Sequence, residues 1–223
     1  RFLHDSKNQN EYLTPFLAFI LKPYFNWLAR WDIVSSARVD FYVANSKNVQ
    51  KKIKSVYKRD SVVIYPYADT AFFKPNNLTR FASEARRAIQ PASPAKRGEQ
   101  SNNSYYLVVS RLVKWKRIDI AIEACQHLKA NLKILGTGSD QKRLQNLSNK
   151  NIEFLSKVNR EKLKELYCNC QALIVTQEED FGIAAVEAQA CGKPVIAYAK
   201  GGLAEIIKGG KTGLVFNRQT SDS

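Results

Sequence analysis

Methionine is absent from all 223 residues, and the chain opens on arginine. We therefore expect a piece of a longer polypeptide. Histidine is scarce: His4 and His127 are the whole complement. That excludes a multi-histidine metal centre and argues against a Ser-His-Asp triad. The 4 cysteines, Cys125, Cys168, Cys170 and Cys191, form no C-x-x-C pair and no second cluster to complete a zinc site. Cys125 and Cys191 stand in apolar helical contexts and read as small core residues. This usage suits a reducing cytosol better than a secreted disulfide scaffold. Arg1–Asn10 carries no signal-peptide pattern. Long apolar runs are lacking as well. Phe16–Leu21 is the most apolar stretch, and Lys22 and Pro23 end it after 6 residues, far short of the roughly 20 that a spanning helix needs. Acidic residues are few: Asp+Glu number 20 against 35 Lys+Arg, a net charge of +15. Such an excess speaks of anionic partners, whether membrane, nucleic acid or phosphorylated substrate, and says nothing of fold.

What is present is globular. The chain is 44% hydrophobic and 25% charged, which excludes a disordered tail, a collagen and a coiled coil. Its length suits one generous domain or two small ones. Glu11–Trp31 carries Tyr12, Phe16, Phe19, Ile20, Tyr24, Trp27, Leu28 and Trp31 at helical spacing. Pro15 and Pro23 are expected to break it into one or two amphipathic helices. Two readings stay open for them: packing against a missing part of the protein, or an interfacial membrane helix. Asp40–Ala44 reads as a strand, Val49–Tyr57 as a Lys-rich helix capped by Asn45 or Ser46, and Ser61–Tyr65 as a second strand. Asn76–Ser104 is rich in Ser, Ala, Arg, Pro and Asn and reads as a linker, with a short helix at Arg80–Ile89.

From Tyr105 onward apolar strands alternate with helical patterns. The strands are Tyr105–Ser110, Leu132–Leu135, Ile152–Leu155, Ala172–Val175, Pro194–Tyr198 and Gly213–Phe216. The helices are Ile118–Leu128, Asp140–Leu147, Arg160–Cys168, Gly182–Cys191 and Leu203–Ile207. This alternation predicts an α/β fold, a Rossmann-like parallel sheet with helices on both faces. Ligands are then expected at the strand C-termini. The expected domains are 1–68, the end of one α/β unit; 69–104, hinge and linker; and 105–223, a Rossmann-like domain.

Four groups follow strand ends. In Ser110–Arg117, Arg111 leaves a strand and Lys116 opens the next helix. Two cations beside helix N–H groups suit a pyrophosphate, and a solvated basic turn is the alternative. Gly136-Thr137-Gly138 resembles the start of a dinucleotide fingerprint, but Gln141 stands where its third glycine belongs. A tight strand-to-helix turn is the competing role. The third group is Glu178-Glu179-Asp180-Phe181-Gly182-Ile183, leading to Glu187, with 7 residues between Glu179 and Glu187. One carboxylate lies in the loop and the other on the helix, so both can reach a sugar nucleotide across the helix N-terminus, where the Gly182 and Ile183 N–H groups point. Otherwise the acidic residues merely complement the helix dipole and Glu187 is solvated. Lys200-Gly201-Gly202 is a flexible glycine turn suited to a phosphate contact.

Together, Ser110–Ala124, Leu132–Leu144, Glu178–Ile207 and Lys211–Phe216 resemble the group 1 (family 4) retaining glycosyltransferases of the GT-B fold. Upstream, DFYVANSKNVQKKI and SVVIYPYADTAFFKP resemble the family's hinge entry. The likeness runs from about Arg38 to Phe216, interrupted at Asn76–Ser104. RLVKWKR and GKPVIAYAKGG are similar to the branch of bacterial surface-polysaccharide mannosyltransferases. The resemblance implies a donor site. Arg111 and Lys116 would bind the diphosphate and stabilise its departure. Glu179 would lie near the donor sugar. Phe181, Gly182 and Ile183 would offer backbone contacts, Glu187 would hold the ribose hydroxyls, and Gly136, Gly201 and Gly202 would line the nucleotide. It also implies a GDP- or UDP-linked hexose donor, mannose in this branch, a glycan or lipid-linked acceptor, retained configuration, and neither metal nor cofactor. The family's acceptor domain and its closing helices are largely missing, so donor binding without turnover is expected. A cytoplasmic protein is expected, with peripheral contact to anionic membrane through its positive charge and no nucleic-acid partner. The rivals are a GT-B nucleotide-sugar epimerase, which the Glu–seven–Glu spacing opposes, and a non-catalytic basic module binding RNA or membrane. A nicotinamide dehydrogenase fits least, given the broken glycine fingerprint.

Overall fold

The computed structural model describes residues 15–75 and 104–222. It divides into two compact units, one up to Tyr65 and one from Pro66. The helix expected at Arg80–Ile89 and residues Glu11–Thr14 lie outside the described residues.

In the first unit, helix α1 spans Pro15–Ser35 and is followed by a short 3-10 turn, Ser36–Arg38. The break expected at Pro23 does not occur: one helix runs through it. Proline removes a single N–H and crowds one carbonyl, and the flanking Leu17, Ala18, Leu21, Leu28 and Ala29 are strong helix formers that carry the chain past it. Pro15 sits at the first helical position, where a missing N–H costs nothing. Phe16, Phe19, Tyr24, Trp27 and Trp31 are exposed along this helix. Strand β1 (Val43–Ala44) leads into α2 (Lys47–Tyr57), and β2 (Val62–Val63) returns parallel to β1. The Ser46 hydroxyl caps α2 by accepting from the Val49 N–H at 3.1 Å, one of the first-turn donors a helix cannot satisfy itself. Tyr57 on α2 donates to Asp32 on α1 at 2.8 Å.

The second unit is a six-stranded, all-parallel sheet. In chain order it runs β3 (Tyr105–Val109), α3 (Ile118–His127), β4 (Asn131–Leu135), α4 (Gln141–Leu147), β5 (Ile152–Leu155), α5 (Arg160–Asn169), β6 (Leu173–Val175), α6 (Ile183–Ala190), β7 (Val195–Tyr198), α7 (Leu203–Ile206) and β8 (Gly213–Phe216). The strands lie side by side as β5-β4-β3-β6-β7-β8. Alternate side chains of β3 go to opposite faces, as strand geometry demands. Tyr105 and Leu107 join a core with Leu166 and Tyr167 of α5, Ala185 and Ala188 of α6, and Leu203 of α7. Val108 joins the other core, with Ile118, Ala121 and Ile122 of α3 and Leu144 of α4. The alternation expected from sequence is thus present, with each strand shifted by no more than a residue at its ends.

Residues 69–75, expected within a hinge, pack inside this unit. Asp69 pairs with Arg160 at 2.5 Å, and Phe73 is buried edge-on to Tyr167. Among the described residues, no helix is long and apolar enough to cross a membrane.

The strand order decides where a ligand can sit. From β3 the chain steps outward to β4 and β5, then returns to lay β6 on the other side of β3. The chain therefore leaves β3 and β6 toward opposite faces of the sheet, α3 packing into one core and α6 into the other, and the strand C-termini at such a switch point are where a ligand crevice is expected.

Candidate functional site

The two loops flanking that crevice meet through charged side chains. Lys116 closes a 3-10 turn, Lys114–Lys116, in the loop after β3. It is buried, and its Nζ is ion-paired with Glu179 Oε1 from the loop after β6. Nζ also lies 4.4 Å from the centre of the Trp115 ring, a favourable place for a cation. Gln177 Nε2 donates to the same Glu179 oxygen at 2.7 Å. The Thr176 hydroxyl donates to the Lys116 carbonyl at 2.7 Å, and Gln219 Nε2 donates to the Thr176 carbonyl at 2.9 Å. Thr176 and Gln177 are both buried. A buried ammonium is tolerated only with such partners.

Glu179 is held from the far side too. The Gly202 N–H donates to its carbonyl at 2.7 Å, and Gly201 forms a parallel bridge with it. The glycine turn after β7 is thereby tied to the acidic loop. On the other flank, the Leu112 N–H donates to the Thr137 carbonyl and the Asp140 N–H to the Leu112 carbonyl, each at 2.9 Å. A Cβ at Gly136 would stand 1.9 Å from the Ser110 carbonyl oxygen, so only glycine fits there. Gly136-Thr137-Gly138 is thus a tight turn pressed on the Arg111 loop. Arg111 itself is exposed, outside the Lys116–Glu179 pair.

Helix α6 begins at the crevice. Gly182 is its N-cap with φ 97°, a left-handed conformation that glycine adopts without strain. Phe181 is buried just before it, while Ile183 is exposed at its first turn. The first N–H groups of a helix point outward unsatisfied and carry partial positive charge. Further along α6, Glu187 is half-buried, and its Oε2 accepts from the Tyr167 hydroxyl of α5 at 3.0 Å. Burial pushes the Glu187 carboxyl above its ordinary value, while the Tyr167 hydrogen bond and the Arg160 charge pull the other way.

The structure therefore joins Lys116, Glu179, Gly201 and Gly202 directly, sets Gly182 and Ile183 at the helix tip, and gives Glu187 a partner of its own. Sequence reasoning passed over Thr176, Gln177 and Tyr167. The first two had a signal, as polar residues directly after an apolar strand. Tyr167 had none, because a helical aromatic reads as core. Among the described residues, no group of three His, Cys, Asp or Glu could hold a metal ion.

The family model described as "Glycosyl transferases group 1" matches residues 89–223. An uncharacterized glycosyltransferase of Methanocaldococcus jannaschii is 36% identical over 124 residues, 53% of this chain and 35% of that protein. A D-inositol 3-phosphate glycosyltransferase of Mycobacteroides abscessus is 26% identical over 87% of this chain and 44% of its own length. The alpha-1,3/1,6-mannosyltransferase ALG2 of Dictyostelium discoideum is 40% identical over 96 residues, 43% of this chain and 23% of its own. Among solved structures, Anabaena HepE in complex with UDP and glucose is 25% identical, with a TM-score of 0.69, over 86% of this chain and 54% of that one. The structural neighbours are GT-B glycosyltransferases. The chain spans about half the length, or less, of the relatives it matches.

Proposed function

The chain belongs to the group 1 glycosyl transferases, and from that premise we propose that it binds a nucleoside-diphosphate sugar in the crevice between β3 and β6. The transfer is of a hexose, mannose in our reading, from a UDP- or GDP-linked donor to a glycan or lipid-linked acceptor with retained configuration. One observation carries the reading: Lys116 and Glu179 meet across the crevice beside the N-terminus of α6. HepE, which shares the fold at 25% identity, holds UDP and glucose, which supports a nucleotide-sugar donor, and a mannosyltransferase, ALG2, stands among the relatives.

The chemistry follows from charge. As the bond between the anomeric carbon and the diphosphate oxygen breaks, its electron pair stays on that oxygen. Lys116, Arg111 and the N–H groups of Gly182 and Ile183 offset the growing negative charge where it develops, so the step calls for no metal. The ammonium has three donors, so a phosphate oxygen can share it with Glu179 and the Trp115 face. The acceptor hydroxyl attacks the same face of an oxocarbenium-like centre and passes its proton to the leaving phosphate. Glu179, engaged by Lys116 and Gln177, orients the sugar and is not a covalent nucleophile. Glu187 accepts from the ribose hydroxyls. Gly136, Gly201 and Gly202 bring backbone close to the nucleotide.

Because the chain spans about half of its relatives, the test reads binding. Calorimetric titration with UDP and GDP should show that Arg111→Ala and Glu187→Ala each weaken binding at least about tenfold, the loss of roughly one charge-assisted hydrogen bond. Unchanged affinity in both variants would overturn the site.

A further inference from the structure

Among the described residues, Tyr167 is the largest side chain with no solvent exposure. The ring stands edge-on to Phe73, with centres 5.8 Å apart and planes at 78°. Its carbonyl accepts from the Cys170 thiol at 3.2 Å. The hydroxyl then reaches across from α5 to α6 and donates to Glu187 Oε2 at 3.0 Å. A buried tyrosine hydroxyl needs a partner, and this one has taken the carboxylate read above as the ribose ligand. Burial holds the hydroxyl protonated far beyond any physiological pH, so it is a permanent donor.

A glutamate on a helix has several rotatable bonds, and losing their freedom on binding costs affinity. A donor fixed on Oε2 removes that freedom beforehand. It also supports a negative charge that half-burial opposes. The second oxygen is then presented in one orientation to a hydroxyl pair on a ligand.

We propose that Tyr167 is a positioning residue that acts through Glu187 to set selectivity for ligands carrying a vicinal diol, the ribose of the nucleotide, over deoxy analogues. The inference rests on the donor-site reading of Glu187 and goes beyond it by assigning the selectivity to a residue that never touches the ligand.

The test compares the tighter-binding of UDP and GDP with its 2′,3′-dideoxy analogue by calorimetry, in the unmodified chain and in Tyr167→Phe. The phenylalanine keeps the ring and its contact with Phe73 and removes only the hydroxyl. The unmodified chain should prefer the ribonucleotide at least about tenfold. In Tyr167→Phe that preference should fall at least about fivefold through weaker ribonucleotide binding, while the dideoxy affinity holds. A merely structural tyrosine would weaken both ligands alike and leave the ratio unmoved, and that result overturns the inference. If the unmodified chain itself fails to discriminate, the ribose role of Glu187 falls instead, so the two failures are distinct. Should Tyr167→Phe not fold, Phe73→Leu takes its place. It loosens the ring while keeping the hydroxyl, and the ratio should drop at least about threefold; an unchanged ratio there overturns the proposal equally.

Discussion

Glu187 and Gly136 show how single positions in this site are constrained. Burial raises the Glu187 carboxyl above 4.5 in the folded chain. Between that ordinary value and the raised one, the folded state holds more protons than the unfolded state, so stability falls as pH rises through the window. Glu187→Gln removes the ionisation. Its unfolding midpoint should match the unmodified chain well below pH 4.5, pull ahead as pH rises through that window and hold a constant lead above it, read by thermal unfolding across pH. A constant offset at every pH would contradict the assignment. At Gly136 a Cβ would strike the Ser110 carbonyl oxygen at 1.9 Å, a backbone atom that cannot swing away, whereas at Gly209 nothing lies within 4 Å. Gly136→Ala should therefore cost about 1–3 kcal/mol, and Gly209→Ala should stay within about 0.5 kcal/mol. Denaturant unfolding of the pair checks this. Several of these positions were legible in the sequence because their chemistry is local: a glycine after a strand, a carboxylate in an Ala-rich helix, a cation at a turn. The Tyr167–Glu187 bond spans 20 residues and leaves no local trace.

Elements were read well where apolar runs are short and bounded. YYLVV and VIAY are strands because β-branched and aromatic residues bury on both faces of a parallel sheet. The order β5-β4-β3-β6-β7-β8 was not readable, since alternation of strand and helix does not say on which side of β3 the chain returns. That return is what creates the crevice. One helix runs through Pro23 because strong formers on both sides absorb one missing hydrogen bond. Helix α5, which carries Tyr167, begins where Asn159 accepts from the Lys162 N–H at 2.9 Å. Asn159→Ala should cost about 1 kcal/mol and lower the thermal midpoint, while UDP affinity stays within about twofold because seven residues separate the cap from Tyr167. A large affinity loss would mean that α5 is less rigid than its packing implies.

For the chain as a whole, the net charge of +15 invites any polyanion, and a basic RNA- or membrane-binding module would share it. The difference lies in where the charge is. Exposed cations on a surface are screened by salt, whereas a buried pair is screened far less. Oligonucleotide binding should therefore collapse steeply as salt rises, and nucleoside diphosphate binding at Lys116 should fall only gently. The most direct trial of the account is a crystal structure of this chain with UDP or GDP bound. The diphosphate should lie at Lys116 and the first turn of α6, with the ribose against Glu187. A diphosphate held elsewhere, on exposed lysines or on the first unit, would contradict it.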